Sequence, residues 1–290
     1  MIKKSLAKLK EYRFRNLDFR LLLFVYILTF IGINVIGSAT DSDDFAKRQL
    51  MGLIISSVIM IITMLIDYNL LLKFYWIYYI INMVLLLVVQ FFGAIHGGAK
   101  RWIDIPGFQL QPSELTKLFL VLFFAKLLSK YQEYLKSFKL VVAAGVLLAL
   151  PILLILKQPD LSTSIVIVLT FCAILFVAGL GWKIIAVLFS IAVPVAVVLL
   201  YLILQPDQSI LKDYQYNRII GFYDEDNEEA AKVRYQQENS ILAIGSGGLY
   251  GKGLNNNTIT SVKNGNYLSE PHTDFIFTVV GEELGFVGGA

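Results

Sequence analysis

Seven runs of apolar residues dominate the chain, covering residues 19–39, 50–66, 74–95, 114–128, 139–156, 161–180 and 183–204. A helix needs about 20 such residues to cross the hydrocarbon core of a bilayer, so each run predicts a membrane span. The fourth is short and carries Lys117 and Lys126, so it must borrow flanking residues to reach across. An eighth apolar run opens at Phe275 and reaches Ala290 without a charged stop, as though a further span begins and is cut off. The pattern predicts an all-α, polytopic membrane helix bundle in four parts. These are a basic N-terminus over 1–18, a seven-helix bundle over 19–204, a polar loop over 205–274 and the start of an eighth span over 275–290. The first run follows a basic segment and ends in Gly37-Ser38-Ala39, which resembles a signal peptide. It exceeds the usual apolar region of about 7–15 residues and six more spans follow, so it reads as a retained helix.

Composition agrees: 57% of residues are apolar, 16% are charged and the mean hydropathy is +0.67, against roughly 45–50% and about 25% in soluble domains. The distribution of Lys and Arg then orients the spans. With the N-terminus inside, thirteen fall on the cytoplasmic side and five (Lys47, Arg48, Lys100, Arg101 and Lys157) on short outer loops. Seven spans from that start put 205–274, with ten acids and six bases, on the outer side. The net charge of +3 is small and dispersed, with no basic helix interleaved with aromatics, which excludes nucleic acid as a partner. A lone Cys172, with only His96 and His272 elsewhere, leaves no disulfide and no Cys/His metal site.

Polar residues at the edge of a membrane are expensive and therefore paired or functional. Three clusters qualify. The first runs from Gly97 through Lys100, Arg101, Trp102 and Asp104 to Gln111-Pro112-Ser113-Glu114 and Lys117. Pro112 suits the first turn of a helix, which places Lys117 one turn into the fourth span. Glu114 and Lys117, three residues apart, share a helix face and make either an internal ion pair or, through Lys117, an anion site. Arg101 and Trp102 read as interfacial residues on composition alone. In the second cluster, Lys157-Gln158-Pro159-Asp160-Leu161-Ser162, either Asp160 or Ser162 suits the cap of the sixth span. The third opens with Gly245-Ser246-Gly247-Gly248 and Gly251-Lys252-Gly253. A phosphate-binding P-loop requires glycine where Ser246 stands and Ser/Thr where Gly253 stands, so these glycines instead permit tight backbone turns or close approach. The cluster continues with Glu270-Pro271-His272-Thr273-Asp274 at the water boundary, where Asp274 is either a helix N-cap or a general base.

Together these motifs, in this order along the whole chain and closed by Gly281-Glu282-Glu283-Leu284-Gly285, resemble the SEDS family (shape, elongation, division and sporulation) of RodA- and FtsW-like proteins. The resemblance implies a ten-helix bacterial inner-membrane protein. It would polymerise lipid II into peptidoglycan strands beside a class B penicillin-binding protein, with membrane lipids around it. It implies that Asp274 is the essential acid, Lys117 its membrane-embedded basic partner and Arg101 a functional cation. The other motif residues, Trp102, Gln111, Ser113, Glu114, Gln158, Asp160, Ser246, Lys252, Glu270 and His272, become candidates for contacting substrate. Ser162 stands where the family usually has glycine, and Asn257-Thr258-Ile259 replaces a glycine-containing segment. The family's last three helices are largely missing.

The implied reaction joins a sugar 4-hydroxyl to C1 of a sugar leaving polyprenyl pyrophosphate. Inversion by one in-line displacement needs one base, and pyrophosphate leaves without the second carboxylate of a glycosidase. Negative charge on the leaving group calls for fixed cations, with or without a divalent ion such as Mg or Mn; no protein metal site is expected. A lipid flippase is disfavoured because the interiors of the fifth to seventh spans carry no charged residue, and a non-catalytic scaffold requires neither acid nor base.

Overall fold

The computed structural model describes residues 18–40, 43–96, 99–105, 108–203, 205, 216, 228–256, 258, 261, 265 and 267–290. They form two compact units, one from the described parts of Met1–Leu65 and Leu199–Ala290, the other from Ile66–Val198.

In the first unit, α1 (Phe19–Ala39) starts at Asp18, whose carboxylate accepts the Arg20 and Leu21 amides and so satisfies two of the donors every helix start leaves open. α1 lies against α2 (Asp44–Met64), and Tyr26 donates to Ser57 Oγ across the pair at 2.9 Å. No residue of α2 is buried, and its side chains Ile54, Ile55, Ile59 and Ile62 are each more than half exposed. In water such a surface would be prohibitive, whereas in a bilayer it is the expected lipid face.

In the second unit a short α3 (Tyr68–Lys73) leads into α4 (Tyr75–Phe92), then a three-stranded antiparallel sheet, β1 (Ala94–His96), β2 (Ala99–Ile105) and β3 (Phe108–Leu110). The register pairs Ala94 with Trp102 and Ile103 with Leu110. Three helices follow: α5 (Pro112–Lys130), α6 (Phe138–Lys157) and α7 (Leu161–Val177), with a 3₁₀ turn at Gln132–Lys136 before α6. α8 (Trp182–Ile203) runs from this unit into the first.

The core of the second unit gathers on α5. Thr116, Leu120, Phe123, Phe124, Leu127 and Leu128 are buried at helical spacing, and the Phe123 ring meets those of Tyr75, Trp76, Tyr79 and Phe124 at centroid distances of 4.6–5.8 Å. Neighbouring protein encloses that face, and the charged residues of α5, Glu114, Lys117, Lys126 and Lys130, lie off it. Pro151 interrupts α6 by removing the amide that would bond the Leu147 carbonyl. Tyr79 from α4 donates to that carbonyl at 2.8 Å, so the proline break is satisfied from outside the helix.

The chain returns to the first unit with α9 (Glu228–Ser246) and α10 (Ile276–Gly289). α10 is not continuous: Gly285, at φ 66° and ψ −165°, breaks it. Val279 packs with Val35 and Ala39 of α1, and the Ser240 and Thr278 hydroxyls share a hydrogen bond between α9 and α10.

Each of the seven apolar runs coincides with a helix, and five helices (α1, α2, α4, α6 and α8) are long and apolar enough to span a membrane. α7 is shorter, and α5 carries Glu114, Lys117, Lys126 and Lys130. Two expectations change. The fold is not purely helical, because 94–110 supplies a sheet whose hydrogen bonds link segments adjacent in sequence. The second helix begins at Asp44, so Lys47 and Arg48 belong to its first turns, not to a loop. The basic N-terminus up to residue 17, the acids Asp207–Asp226 and the Asn257 and Ile259 substitutions lie outside the described residues.

Candidate active site

In the second unit a buried polar cluster forms where β2, the start of α5 and the α6–α7 turn converge. Asp160 caps α7: its carboxylate accepts the Thr163 amide at 3.1 Å and the Thr163 hydroxyl at 2.9 Å. The same carboxylate takes longer hydrogen bonds from Gln111 Nε2 (3.4 Å) and Ser113 Oγ (3.5 Å), so it joins α5 to α7. Gln158, 2% exposed, donates its Nε2 to the Leu86 carbonyl of α4 at 3.4 Å. Arg101, half-buried on β2, donates Nε to the Gln158 carbonyl at 3.0 Å and an Nη to the Pro159 carbonyl at 2.7 Å. The guanidinium fork thus grips the turn that presents Asp160. Trp102, half-buried, follows it on the strand.

Lys117 faces out from α5 and pairs with Glu114 at 2.8 Å. Lys117 is partly exposed at the surface of the unit, 35%, and Glu114 more so, 55%. Beyond Lys117, a groove of about 440 Å³ runs along α5 and α7, lined by Val121, Ala125, Leu128, Ala173, Ile174 and Val177 among others.

In the first unit, Asp274 stands two residues before α10. The cap position of that helix is Phe275, with no side-chain cap hydrogen bond. Asp274 is exposed. Beside it, His272 lies against the Phe45 ring at 4.3 Å, with Nε2 3.4 Å from Glu270 Oε2. Glu270 holds a left-handed φ of 54°, and its carbonyl accepts the Thr273 amide, which bends the chain into α10. Ser246, exposed at the end of its helix, donates back to the Ala243 carbonyl. Lys252 pairs with Glu282 of α10 at 2.8 Å.

The structure therefore brings Arg101, Gln111, Ser113, Gln158 and Asp160 into one cluster, and gathers Glu270, His272 and Asp274 at the entry to α10. It adds Glu282, Glu283 and Ser38, which carried no assignment in the sequence: Ser38 donates to Glu283 at 2.7 Å, and both acids are nearly fully buried. Their partners are 30 and 245 residues away, beyond any local spacing rule. Among the described residues no three His, Cys, Asp or Glu side chains gather to hold a metal ion.

Five helices long and apolar enough to cross a bilayer define a polytopic membrane protein. The chain belongs to the FtsW/RodA/SpoVE family, whose model, described as cell cycle protein, matches residues 15–290. It is 34% identical to the peptidoglycan glycosyltransferase MrdB of Escherichia coli K12 over 274 residues, 94% of this chain and 71% of that protein. It is also 34% identical to the probable peptidoglycan glycosyltransferase FtsW of Trichlorobacter lovleyi, covering 96% of this chain and 73% of the relative. Among solved structures it is similar to a peptidoglycan synthase complex described as coordinating polymerization and crosslinking, with a TM-score of 0.69 and 25% identity over 94% of this chain and 73% of that one. The rod shape determining protein RodA of Thermus thermophilus shares the fold, with a TM-score of 0.60 and 24% identity over 95% of this chain and 70% of that one.

Proposed function

We propose that this chain is a peptidoglycan glycosyltransferase that polymerises lipid II into glycan strands at the outer face of the bacterial cytoplasmic membrane, with its N-terminus in the cytoplasm. The observation that carries the reading is Asp274: exposed at the entry to a membrane helix, in a motif of this family, and released from the capping duty that its position suggests.

Asp274 is the general base. It takes the proton of the 4-hydroxyl of the acceptor sugar as that oxygen attacks C1 of the donor. The C1–O bond to polyprenyl pyrophosphate breaks with its electron pair on the leaving group, and the α-linkage becomes β by a single inversion. Lys117 is assigned to the developing pyrophosphate charge. Its pairing with Glu114 at the surface of α5 supports this, because the ammonium is accessible to an incoming phosphate that can replace the carboxylate as its counter-charge. Arg101 keeps further N–H donors beyond the two spent on the 158–159 carbonyls, so it can hold the turn and offer charge together. No step is routed through a metal ion. A class B penicillin-binding protein is the proposed partner, supported by the likeness to the synthase complex.

The test is strand formation from purified lipid II by the protein with its penicillin-binding partner, the partner's transpeptidase being blocked. Polymer from wild type and none from folded Asp274→Asn supports the base assignment. Equal polymer from both removes it, and no polymer from either moves the reading to lipid transport or to a scaffold.

A further inference from the structure

The break in α10 leaves backbone groups that a helix would have paired, and the chain supplies partners from one place. The turn after α9, residues 247–253, lies along α10 and exchanges hydrogen bonds with it on both sides of Gly285. The Lys252 and Gly253 amides donate to the Glu282 and Glu283 carbonyls at 3.0 and 2.9 Å. The Phe286 and Val287 amides donate to the Gly248 and Leu249 carbonyls at 2.9 and 3.1 Å. Side chains are excluded where the two backbones meet. A Cβ at Gly251 would strike the Glu283 carbonyl, one at Gly285 the Gly251 nitrogen, and one at Gly247 the Gly281 carbonyl. Irregular backbone within a membrane segment survives only when it is satisfied in this way by protein.

An ion pair also falls on this lacing. Lys252 Nζ meets Glu282 Oε1 at 2.8 Å; the acid is 3% exposed and the lysine 28%. A carboxylate so buried is costly unless its partner stays in place, which fixes where the turn sits along the helix. α10 begins two residues after Asp274, and Glu282 lies six residues beyond its first residue Ile276, about 9 Å along the helix axis, in the unbroken first half of the helix.

We propose that Lys252 and Glu282 are positioning residues for Asp274: their ion pair locks the glycine turn against the first half of α10 and so sets the depth and rotation of the helix that Asp274 leads into. Lys252 is then a strut and not a ligand of lipid II. The inference rests on the proposed role of Asp274 and would have no readout without it. A displacement of the base by about 1 Å costs on the order of 100-fold in rate while leaving substrate contacts made elsewhere intact.

The experiment measures kcat and KM for lipid II polymerisation by the protein with its penicillin-binding partner, for wild type, Asp274→Asn, Lys252→Met, Glu282→Gln and the exchanged pair Lys252→Glu with Glu282→Lys, each checked for a single folded species in detergent. Lys252→Met and Glu282→Gln are expected to lower kcat at least 10-fold with KM within about 2-fold of wild type, and the exchanged pair to recover part of the loss. If Lys252→Met does not fold, Glu282→Gln, which keeps shape and a hydrogen bond, carries the same comparison. A raised KM with kcat retained in Lys252→Met would make Lys252 a substrate ligand and overturn the proposal. Wild-type kcat in Glu282→Gln, with Asp274→Asn inactive, would overturn it while leaving the base intact. Activity in Asp274→Asn would instead remove the reading beneath it.

Discussion

Asp274 and Asp160 are the same residue type at the edge of the same kind of helix, and their surroundings separate them. Asp160 spends its carboxylate on Thr163, Gln111 and Ser113, whereas Asp274 stands exposed outside the first turn of α10. Replacing Asp160 by Ala removes a cap worth about 1 kcal/mol and strands buried partners, for a total of about 2–3 kcal/mol. Thermal unfolding in detergent should fall accordingly, with Asp160→Asn losing less. Asp274→Asn should leave the unfolding temperature within error while lowering polymerisation by on the order of 100-fold or more, the usual share of a general base. The cap at Asp160 and the Glu114–Lys117 pair were legible in the sequence because both obey local spacing. The two carbonyls held by Arg101 were not, since they lie 57 and 58 residues away.

Elements differ in how openly the sequence announces them. Long apolar runs mark helices by length alone, and the structure follows them to within a few residues except at the start of α2. The sheet over 94–110 was hidden because its strands are three to seven residues long and β2 alternates only over Ile103-Asp104-Ile105. Its Pro106-Gly107 pair was the available turn signal. The glycine turn was read correctly as a place of close approach, yet its partner was invisible, since the break at Gly285 is a tertiary event. Two predictions belong here. Tyr79→Phe should cost about 1–2 kcal/mol, because the Leu147 carbonyl freed by Pro151 loses its donor. Gly251→Ala should cost more than about 2 kcal/mol, combining a left-handed φ of 76° with a clash against Glu283; both are measured by unfolding in detergent.

For the molecule as a whole, the balance of Lys and Arg predicts that the segment between α8 and α10 faces outward. A cysteine introduced at Ser269, in a Cys172→Ser background, should react with a membrane-impermeant maleimide in intact spheroplasts, and one at Gln132 only after lysis. The opposite pattern would invert the topology. The sheet adds a finer scale to this picture. An open sheet edge is not tolerated in bare hydrocarbon, so β1–β3 should lie at the wet rim and serve as a fixed waterline on the chain. Counting from it, Lys117 is submerged by a single helical turn and the groove along α5 and α7 begins directly below. An indole at that waterline is a depth gauge: emission from Trp102 should be quenched by lipids brominated near the headgroup and spared by those brominated at the chain ends.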